Sequence, residues 1–210
     1  MAFGMLAFDG IEELDLIGPW EMVGMWKRVG GPEALIVSEQ VQTIRGANGL
    51  SISPHVDFRH CPPLEYLLVP GGVGTREQVE NASVIDFIQR AGRECRAVLS
   101  VCTGAFLLQR AGLLSGRKAT THWNSLDRMR ATGDVEVVEE RFVRDGVVWT
   151  AAGVSAGIDL ILAFIAEVAG DEIAGKVQFG AEYYPDGRRY GSAHLSDRAP
   201  AYLRPDPGNR

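Results

Sequence analysis

The sequence predicts an α/β protein: a three-layer α/β/α sandwich around a mainly parallel, flavodoxin-like central sheet. Short, almost wholly apolar runs alternate along the chain with segments of helical periodicity. Apolar runs of this kind are typical of strands buried on both faces of a parallel sheet. The 210 residues are enough to bury a large core. The alternating order therefore predicts one α/β domain over residues 1–183, followed by an extended tail over 184–210.

Each element follows from an apolar run and the turn residues beside it. A hairpin is predicted over residues 46–54, and Asp145-Gly146 is the turn between the last two strands. Pro19 is predicted at the first helical position, where its missing N–H costs nothing. Strands are predicted at residues 4–8, 34–38, 66–70, 97–101, 118–121, 135–138, 141–144 and 147–151. Helices are predicted at residues 19–28, 84–93, 104–111, 124–130, 158–169 and 173–179.

Composition limits the classes of partner. The formal net charge is −6 and the pI about 5.3, whereas a protein that binds nucleic acid normally carries a basic face. The three cysteines form no CxxC pair, so neither a zinc site nor a redox dithiol is expected. The N-terminus lacks the basic region of a signal peptide, and the longest apolar run, residues 158–166, is too short to cross a bilayer. These features predict a cytoplasmic protein with no nucleic acid or membrane partner.

Cys102 is the strongest candidate for a reactive residue. It directly follows the apolar run 97–101, and Gly104 opens a helix two residues later. This layout is typical of a nucleophile elbow, a strained strand-to-helix turn that exposes one side chain above the sheet. The helix N-terminus is expected to lower the pKa of the thiol and to raise its thiolate fraction. The alternative is a buried structural cysteine.

Two other segments are expected at the same edge of the sheet. Gly71 and Gly72 follow the strand at 66–70, where glycines let backbone N–H groups approach a ligand closely; the alternative is a plain tight turn. Asp15 lies between the first strand and the first helix. Burial would raise the pKa of its carboxyl, and a helix N-terminus would lower it. A protonated Asp15 beside Cys102 would suit proton transfer, whereas an ordinary acid of the first helical turn is the alternative.

His122 follows a short strand and is a second candidate neighbour of Cys102. A Cys–His pair is a common way to activate a thiol, and Asp159 is the candidate acid to orient the imidazole. A histidine that caps or packs is the alternative. The candidate apolar walls of the pocket are Trp20, Phe106, Trp123 and Val154.

Together these segments resemble the ThiJ/PfpI superfamily, which shares its fold with class I glutamine amidotransferase domains. The resemblance extends from Phe3 to about Arg198. Its motifs are Leu14-Asp15-Leu16-x-Gly18-Pro19, Pro70-Gly71-Gly72, Ser100-Val101-Cys102-Thr103-Gly104, Ala119-Thr120-Thr121-His122-Trp123 and Ser155-Ala156-Gly157-Ile158-Asp159.

Within the superfamily the sequence is most similar to the isonitrile hydratase subgroup, which adds water to R–N≡C to give an N-substituted formamide. That subgroup has Thr after the nucleophile and Asp where many relatives have Glu, and Thr103 and Asp15 match both. The resemblance implies Cys102 as nucleophile, Asp15 as proton carrier and Thr103 as a positioning residue. It also implies a small-molecule substrate and a homodimer, and the chemistry of these residues requires no metal or organic cofactor. The substrate-binding residues it suggests are Gly71, Gly72, His122 and Trp123.

Two other functions remain open at this stage. One is a glyoxalase- or deglycase-like activity on 2-oxoaldehydes, and the other is a non-enzymatic redox sensor or ligand-binding module that uses Cys102. Relatives that act as proteases carry His directly after the cysteine, so Thr103 argues against peptide hydrolysis. Similar motifs occur in sensor domains of AraC-type regulators, but residues 180–210 are not expected to form a helix-turn-helix domain.

Overall fold

The computed structural model describes residues 2–204, which form a mostly parallel sheet between two layers of helices. The strands are β1 (Ala2–Leu6), β2 (Glu33–Ser38), β3 (Ile44–Arg45), β4 (Ser51–Ile52), β5 (Val56–Asp57), β6 (Leu64–Val69), β7 (Ala97–Val101), β8 (Lys118–Ala119), β9 (Glu136–Val137), β10 (Phe142–Asp145) and β11 (Val148–Ala151). The helices are α1 (Glu13–Arg28), α2 (Thr75–Gln78), α3 (Ala82–Glu94), α4 (Gly104–Arg110), α5 (Leu126–Arg130), α6 (Ala156–Ala169) and α7 (Asp171–Gly180).

The central sheet has seven strands in the order β10-β11-β7-β6-β1-β2-β5. All neighbours are parallel except β10 and β11, which form the predicted hairpin around Asp145-Gly146. Helices α1, α6 and α7 contact one another on one face, and α2, α3 and α4 on the other. The predicted three-layer, mainly parallel architecture is confirmed.

The layer of α1, α6 and α7 is anchored by Phe164 of α6. This fully buried ring meets the rings of Phe3, Trp26, Tyr66 and Trp149 edge to face, at centroid separations between 4.9 and 6.4 Å. Edge-to-face contacts add about 0.5–1.5 kcal/mol each beyond the burial of apolar area. They fix α6 against β1, β6 and β11, whose ends carry the residues discussed below.

Helix α1 begins earlier than the sequence predicts. It starts at Glu13, so Pro19 lies inside the helix and not at its first position. Pro19 cannot donate the usual backbone hydrogen bond to the carbonyl of Asp15. A methyl group built on Gly157 of α6 would lie 3.0 Å from the Pro19 ring, so this glycine is what lets the two helices approach so closely.

The other differences from prediction concern short elements and the C-terminus. Strand β5 and helix α2 are too short to show periodicity, and the predicted hairpin forms from β3 and β4. The predicted tail is not simply extended up to residue 204. It contains two 3₁₀ turns and folds back, so that the Arg198 side chain donates to Asn124 Oδ1 at 2.7 Å. Residues 205–210 of that tail lie outside the described residues. Within residues 2–204, no helix is long and apolar enough to cross a membrane.

Helix α4 starts directly against the end of β6, and only a glycine fits there. A Cβ at Gly104 would overlap the carbonyl oxygen of Val69 and lie 2.8 Å from that of Pro70. Gly175 in α7, by contrast, has open space around its Cα. Alanine substitutions at Gly104 and Gly175 therefore compare a crowded helical position with an open one.

We expect Gly104→Ala to lower the free energy of unfolding by about 1–3 kcal/mol, because the new methyl group displaces backbone. Gly175→Ala should raise it by about 0.5–1 kcal/mol, as alanine does in an open helix interior. Urea unfolding of both variants measures the difference. Equal effects at the two positions would contradict the close approach of α4 and β6.

Candidate active site

Four neighbouring parallel strands end at one place on the sheet. Asp15 follows β1, Gly71 and Gly72 follow β6, Cys102 follows β7, and Val154 follows β11. These strands are adjacent in the order β11-β7-β6-β1. Ligands of open α/β sheets bind beyond the carboxyl ends of the strands, so the structure gathers the predicted residues where chemistry is expected.

Cys102 occupies a tight turn between β7 and α4, with a φ of 57° in the left-handed region. Its backbone is held on both sides. The N–H donates to the carbonyls of Ala151 (3.1 Å) and Ala152 (3.0 Å), and the carbonyl accepts from the Thr121 hydroxyl at 2.8 Å. A non-glycine residue in this conformation stores about 1–3 kcal/mol of strain, which these bonds offset. The turn fixes where the sulfur lies.

Val154 is strained in the same way, with a φ of 49°. It is β-branched, and such residues seldom adopt this conformation. The Val154 backbone N–H lies close enough to both Asp15 and Cys102 to lower the pKa of each. The conformation at Val154 therefore aims a donor at the point where negative charge would form on either side chain.

Asp15 is fully buried in the first turn of α1. Its Oδ2 accepts from the Gly71 N–H at 2.9 Å, while Oδ1 has no hydrogen-bond partner among the described residues. Burial raises the pKa of Asp15 to about 8, and the nearby charge of Glu12 acts in the same direction. Hydrogen bonding from Gly71 lowers the pKa but does not offset burial. Asp15 is therefore mainly protonated at neutral pH, which is one of the two states that the sequence left open.

The pKa of the Cys102 thiol contradicts the sequence-based expectation. We expected the N-terminus of α4 to lower it, but burial, with the charge of Asp15, raises it to about 12. Only 6% of the residue is exposed. Donors from Thr103 and Val154 act in the opposite direction without overcoming burial. The effect of Asp15 exists only while this carboxyl is ionised, so the two side chains compete for one negative charge.

Thr103 is held between the glycine turn and the thiol. Its Oγ1 accepts from the Gly72 N–H at 3.0 Å and lies 3.1 Å from the Thr75 hydroxyl. The Thr103 hydroxyl hydrogen is left for the Gly72 carbonyl, at 3.2 Å, or for the Cys102 sulfur. No sequence pattern points to Thr75, because its role depends on how α2 packs beside Thr103.

The glycine turn holds side chains instead of forming the predicted cradle for a ligand. The Gly71 N–H binds Asp15 and the Gly72 N–H binds Thr103, so both donors are already used. A Cβ at Gly71 would lie 2.7 Å from Thr103 Oγ1 and 2.9 Å from Asp15 Oδ2. Any side chain at this position would push the two functional groups apart.

His122 does not form the predicted pair with Cys102 among the described residues. Its Nδ1 accepts from the Asn124 N–H at 3.3 Å, and its ring packs against Gly153, just before Val154. Burial lowers the pKa of His122, so the ring is neutral at pH 7. His122 is therefore a capping and packing residue, as in the alternative hypothesis, and its ring packs against the loop that carries Val154.

The predicted orienting acid for His122 is also elsewhere. Asp159 Oδ2 accepts from Arg141 at 2.6 Å, and Oδ1 accepts from the Tyr183 hydroxyl at 3.1 Å. The pairing with Arg141, just before β10, could not be seen from spacing within the motif at 155–159. Asp159 fixes the start of α6 to the sheet edge and takes no part in the Cys102 site.

The C-terminal segment adds residues that sequence reasoning missed. The Arg198 guanidinium lies 5.4 Å from the Trp123 ring, and Trp123 is 38% exposed. Tyr202 packs against the core, and burial raises the pKa of its hydroxyl. This segment therefore packs beside the 3₁₀ turn Trp123–Ser125, which follows His122.

Within residues 2–204, no group of three or more His, Cys, Asp or Glu side chains is arranged to hold a metal ion. The chemistry that the site offers is that of a thiol and a carboxylic acid, both shielded from water. Such a pair can deliver a proton and a nucleophile to the same atom.

The fold and site define a class of α/β proteins that hold a cysteine on a strand-to-helix turn beside a buried carboxyl group. The DJ-1/PfpI family matches residues 3–167, and the chain belongs to this family. It is similar to an isonitrile hydratase of Pseudomonas putida, with 36% identity over 185 residues, 88% of this chain and 79% of the relative. A deglycase of Pyrococcus horikoshii is 30% identical over 155 residues, 73% of this chain and 90% of the relative.

A solved structure supports the same assignment. The crystal structure of a ThiJ/PfpI family protein from Pseudomonas syringae has a TM-score of 0.85 and 35% sequence identity. It covers 97% of this chain, and this chain covers 82% of it. The similarity extends beyond residue 167 and therefore includes helix α7 and part of the C-terminal segment.

The raised pKa of Asp15 predicts a particular dependence of stability on pH. The folded protein binds the proton of the Asp15 carboxyl more tightly than the unfolded chain does, because the pKa of an unfolded aspartic acid is near 4. The resulting stabilisation is complete below pH 4 and is lost as the pH rises to about 8. We expect Asp15→Asn to raise the free energy of unfolding at pH 8 by about 2–5 kcal/mol, and to have much less effect at pH 4.

Urea unfolding at the two pH values checks this expectation. Asp86→Asn in α3 is the control, because Asp86 is exposed and should give no pH-dependent difference. An Asp15→Asn variant that loses stability at pH 8 would show that the ionised carboxylate is a favoured partner in the fold.

Proposed function

We propose that the protein is an isonitrile hydratase, which converts R–N≡C and water into the formamide R–NH–CHO. The observation that carries this proposal is the burial of Asp15 and Cys102 together at the strand ends, which raises the pKa of both groups. The isonitrile hydratase relative, 36% identical over 88% of the chain, supports the same reaction. Hydration must place one hydrogen and one oxygen on the same terminal carbon, which requires an acid and a nucleophile on one side of the substrate.

In the first half of the reaction the pair holds one proton, which is on the Cys102 thiol, while Asp15 is ionised. The Asp15 carboxylate takes the proton of the Cys102 thiol and passes it to the terminal carbon of the isonitrile. As the C–H bond forms, the sulfur attacks the same carbon, and a thioimidate, R–N=CH–S–Cys102, results. Asp15 is ionised again at the end of this step. The Thr103 hydroxyl and the Val154 N–H stabilise the charge on sulfur while it lasts.

In the second half Asp15 acts as a general base. It takes a proton from water, the resulting hydroxide adds to the thioimidate carbon, and Asp15 passes that proton to the nitrogen. The tetrahedral adduct then collapses: its hydroxyl loses a proton to the Asp15 carboxylate, the C–S bond breaks, and Asp15 returns this proton to the Cys102 sulfur. The products are R–NH–CHO and free Cys102, so atoms and protons balance without a further reactant.

A second candidate is a deglycase-like activity on 2-oxoaldehydes, which the deglycase relative supports. Cys102 would then add to the aldehyde carbon as a hemithioacetal. A redox sensor is disfavoured, because sensor cysteines are exposed and have low pKa values, whereas Cys102 is buried with a raised pKa.

We expect the purified protein to convert cyclohexyl isocyanide to its formamide. Cys102→Ala and Asp15→Asn should each lower kcat/KM by at least about 10³-fold, because each removes a group that reacts in every turnover. Product formation by gas chromatography measures the activity, and Cys61→Ala is the matched cysteine control. Turnover of methylglyoxal without turnover of the isocyanide would contradict the proposal and favour the deglycase reading.

The pKa of the pair also sets the pH dependence of the rate. The active form has lost one proton, and the first proton leaves with a pKa of about 8. We expect kcat/KM for a neutral isocyanide to rise with pH and to level off above about pH 8, because such a substrate has no group that titrates there. A rate that is flat or falls between pH 6 and 8 would be incompatible with this assignment of protons.

A further inference from the structure

Three arginines, Arg76, Arg110 and Arg128, line one cavity beside the proposed catalytic site, and the charge of Arg76 acts on Arg128. Arg76 belongs to α2 and Arg128 to α5, and both line a cavity of about 300 Å³ together with Thr75 and Phe106. The Arg128 guanidinium carbon lies 3.7 Å from the centre of the Phe106 ring, so the ring orients this side chain. The two positive groups therefore converge on a defined space.

No carboxylate neutralises this pair. Over residues 2–204, neither Arg76 nor Arg128 forms an ion pair within 4.0 Å, although the chain carries a net charge of −6. Glu80 also lines the cavity but does not reach either guanidinium, and Asp127 binds Arg130 at 2.7 Å. Burial, with the positive charge of Arg76, lowers the pKa of Arg128, which is the sign of two crowded cations.

The cavity is joined to the Cys102 site by one hydrogen bond and by helix α4. The Thr75 hydroxyl, on the cavity wall, lies 3.1 Å from Thr103 Oγ1, and Thr103 is adjacent to Cys102. Phe106 lies on α4, one turn after the strand-to-helix turn. A thiolate at Cys102 would raise the pKa of Arg128, so the guanidinium lies within electrostatic range of the sulfur.

We propose that Arg76 and Arg128 form an anion-binding subsite that holds an oxyanionic group of the substrate, such as a carboxylate, while its reactive carbon meets Cys102. Guanidinium groups bind carboxylates through paired, charge-assisted hydrogen bonds, and two of them bring both charge and orientation. The class of substrate, isonitriles that carry a carboxylate, rests on the proposed function. The subsite itself does not.

The first test compares 4-isocyanobutanoate with its methyl ester. We expect the wild-type protein to have a KM about tenfold lower for the acid than for the ester. Arg76→Leu and Arg128→Leu should raise the KM of the acid about tenfold and leave that of the ester unchanged, while Arg128→Lys retains part of the preference. Equal kinetics for the acid and the ester in the wild-type protein would overturn the proposed substrate class.

The second test does not depend on isonitrile hydration. Cys102 is alkylated with anionic iodoacetate or neutral iodoacetamide, and the two rates are measured by mass spectrometry of the Cys102 peptide. We expect the ratio of the iodoacetate to the iodoacetamide rate to fall about tenfold in Arg76→Leu and Arg128→Leu. Arg90→Leu is the control, because Arg90 also lies over a phenylalanine, at 6.0 Å, but lines a different cavity.

The two tests separate the two claims. A changed alkylation ratio without any isonitrile turnover would support the anion subsite and contradict the proposed function. An unchanged ratio in both leucine variants would overturn the subsite even if isonitriles are hydrated.

Discussion

The site depends on the burial of the Asp15 carboxyl beside the Cys102 sulfur. A carboxyl group removed from water prefers its neutral form, and a thiol next to it resists a second negative charge. The Gly71 N–H holds Oδ2 of Asp15, and over residues 2–204 Oδ1 has no hydrogen-bond partner. The result is a pair of acids that keeps its protons at neutral pH but releases one of them easily. This property makes a proton and a nucleophile available together.

The fold makes this burial possible because four parallel strands end side by side. The loops after β1, β6, β7 and β11 each need to supply only one or two groups, and the sheet fixes their relative positions. Two of the non-glycine residues in the left-handed region, Cys102 and Val154, lie at the points where these loops meet. Gly71 and Gly104 are present where no Cβ fits. A rigid core around Phe164 supports this arrangement, since strained conformations persist only where the surroundings determine them.

The architecture and most of the site could be predicted because they depend on local patterns. Strand β7 and the turn at Cys102 lie where the sequence places them, since five apolar residues followed by a small-residue helix start leave little choice. The start of α1 could not be predicted, because Pro19 is a strong local signal for a first helical position and only packing against Gly157 shows otherwise.

Contacts that depend on how distant segments pack together were missed, and the direction of the Cys102 pKa shift was predicted wrongly. The helix N-terminus near Cys102 is visible in the sequence, but burial of the thiol against Asp15 is not, and burial decides the pKa. The pairing of Asp159 with Arg141 depends on the position of β10. Arg76 and Arg128 show no pattern in sequence at all, because they meet only when α2 and α5 pack around Phe106.

A direct measurement of the protonation of Asp15 would be the most decisive one for the proposed chemistry. The carboxyl carbon of Asp15 can be followed by carbon NMR across pH 5–10, with Asp15→Asn to assign the signal and Cys102→Ser to remove the thiol. We expect the carboxyl to be protonated at pH 7 and to titrate near pH 8 in the wild-type protein. A carboxyl that is already ionised at pH 5 would contradict the buried acid pair on which the proposed reaction rests.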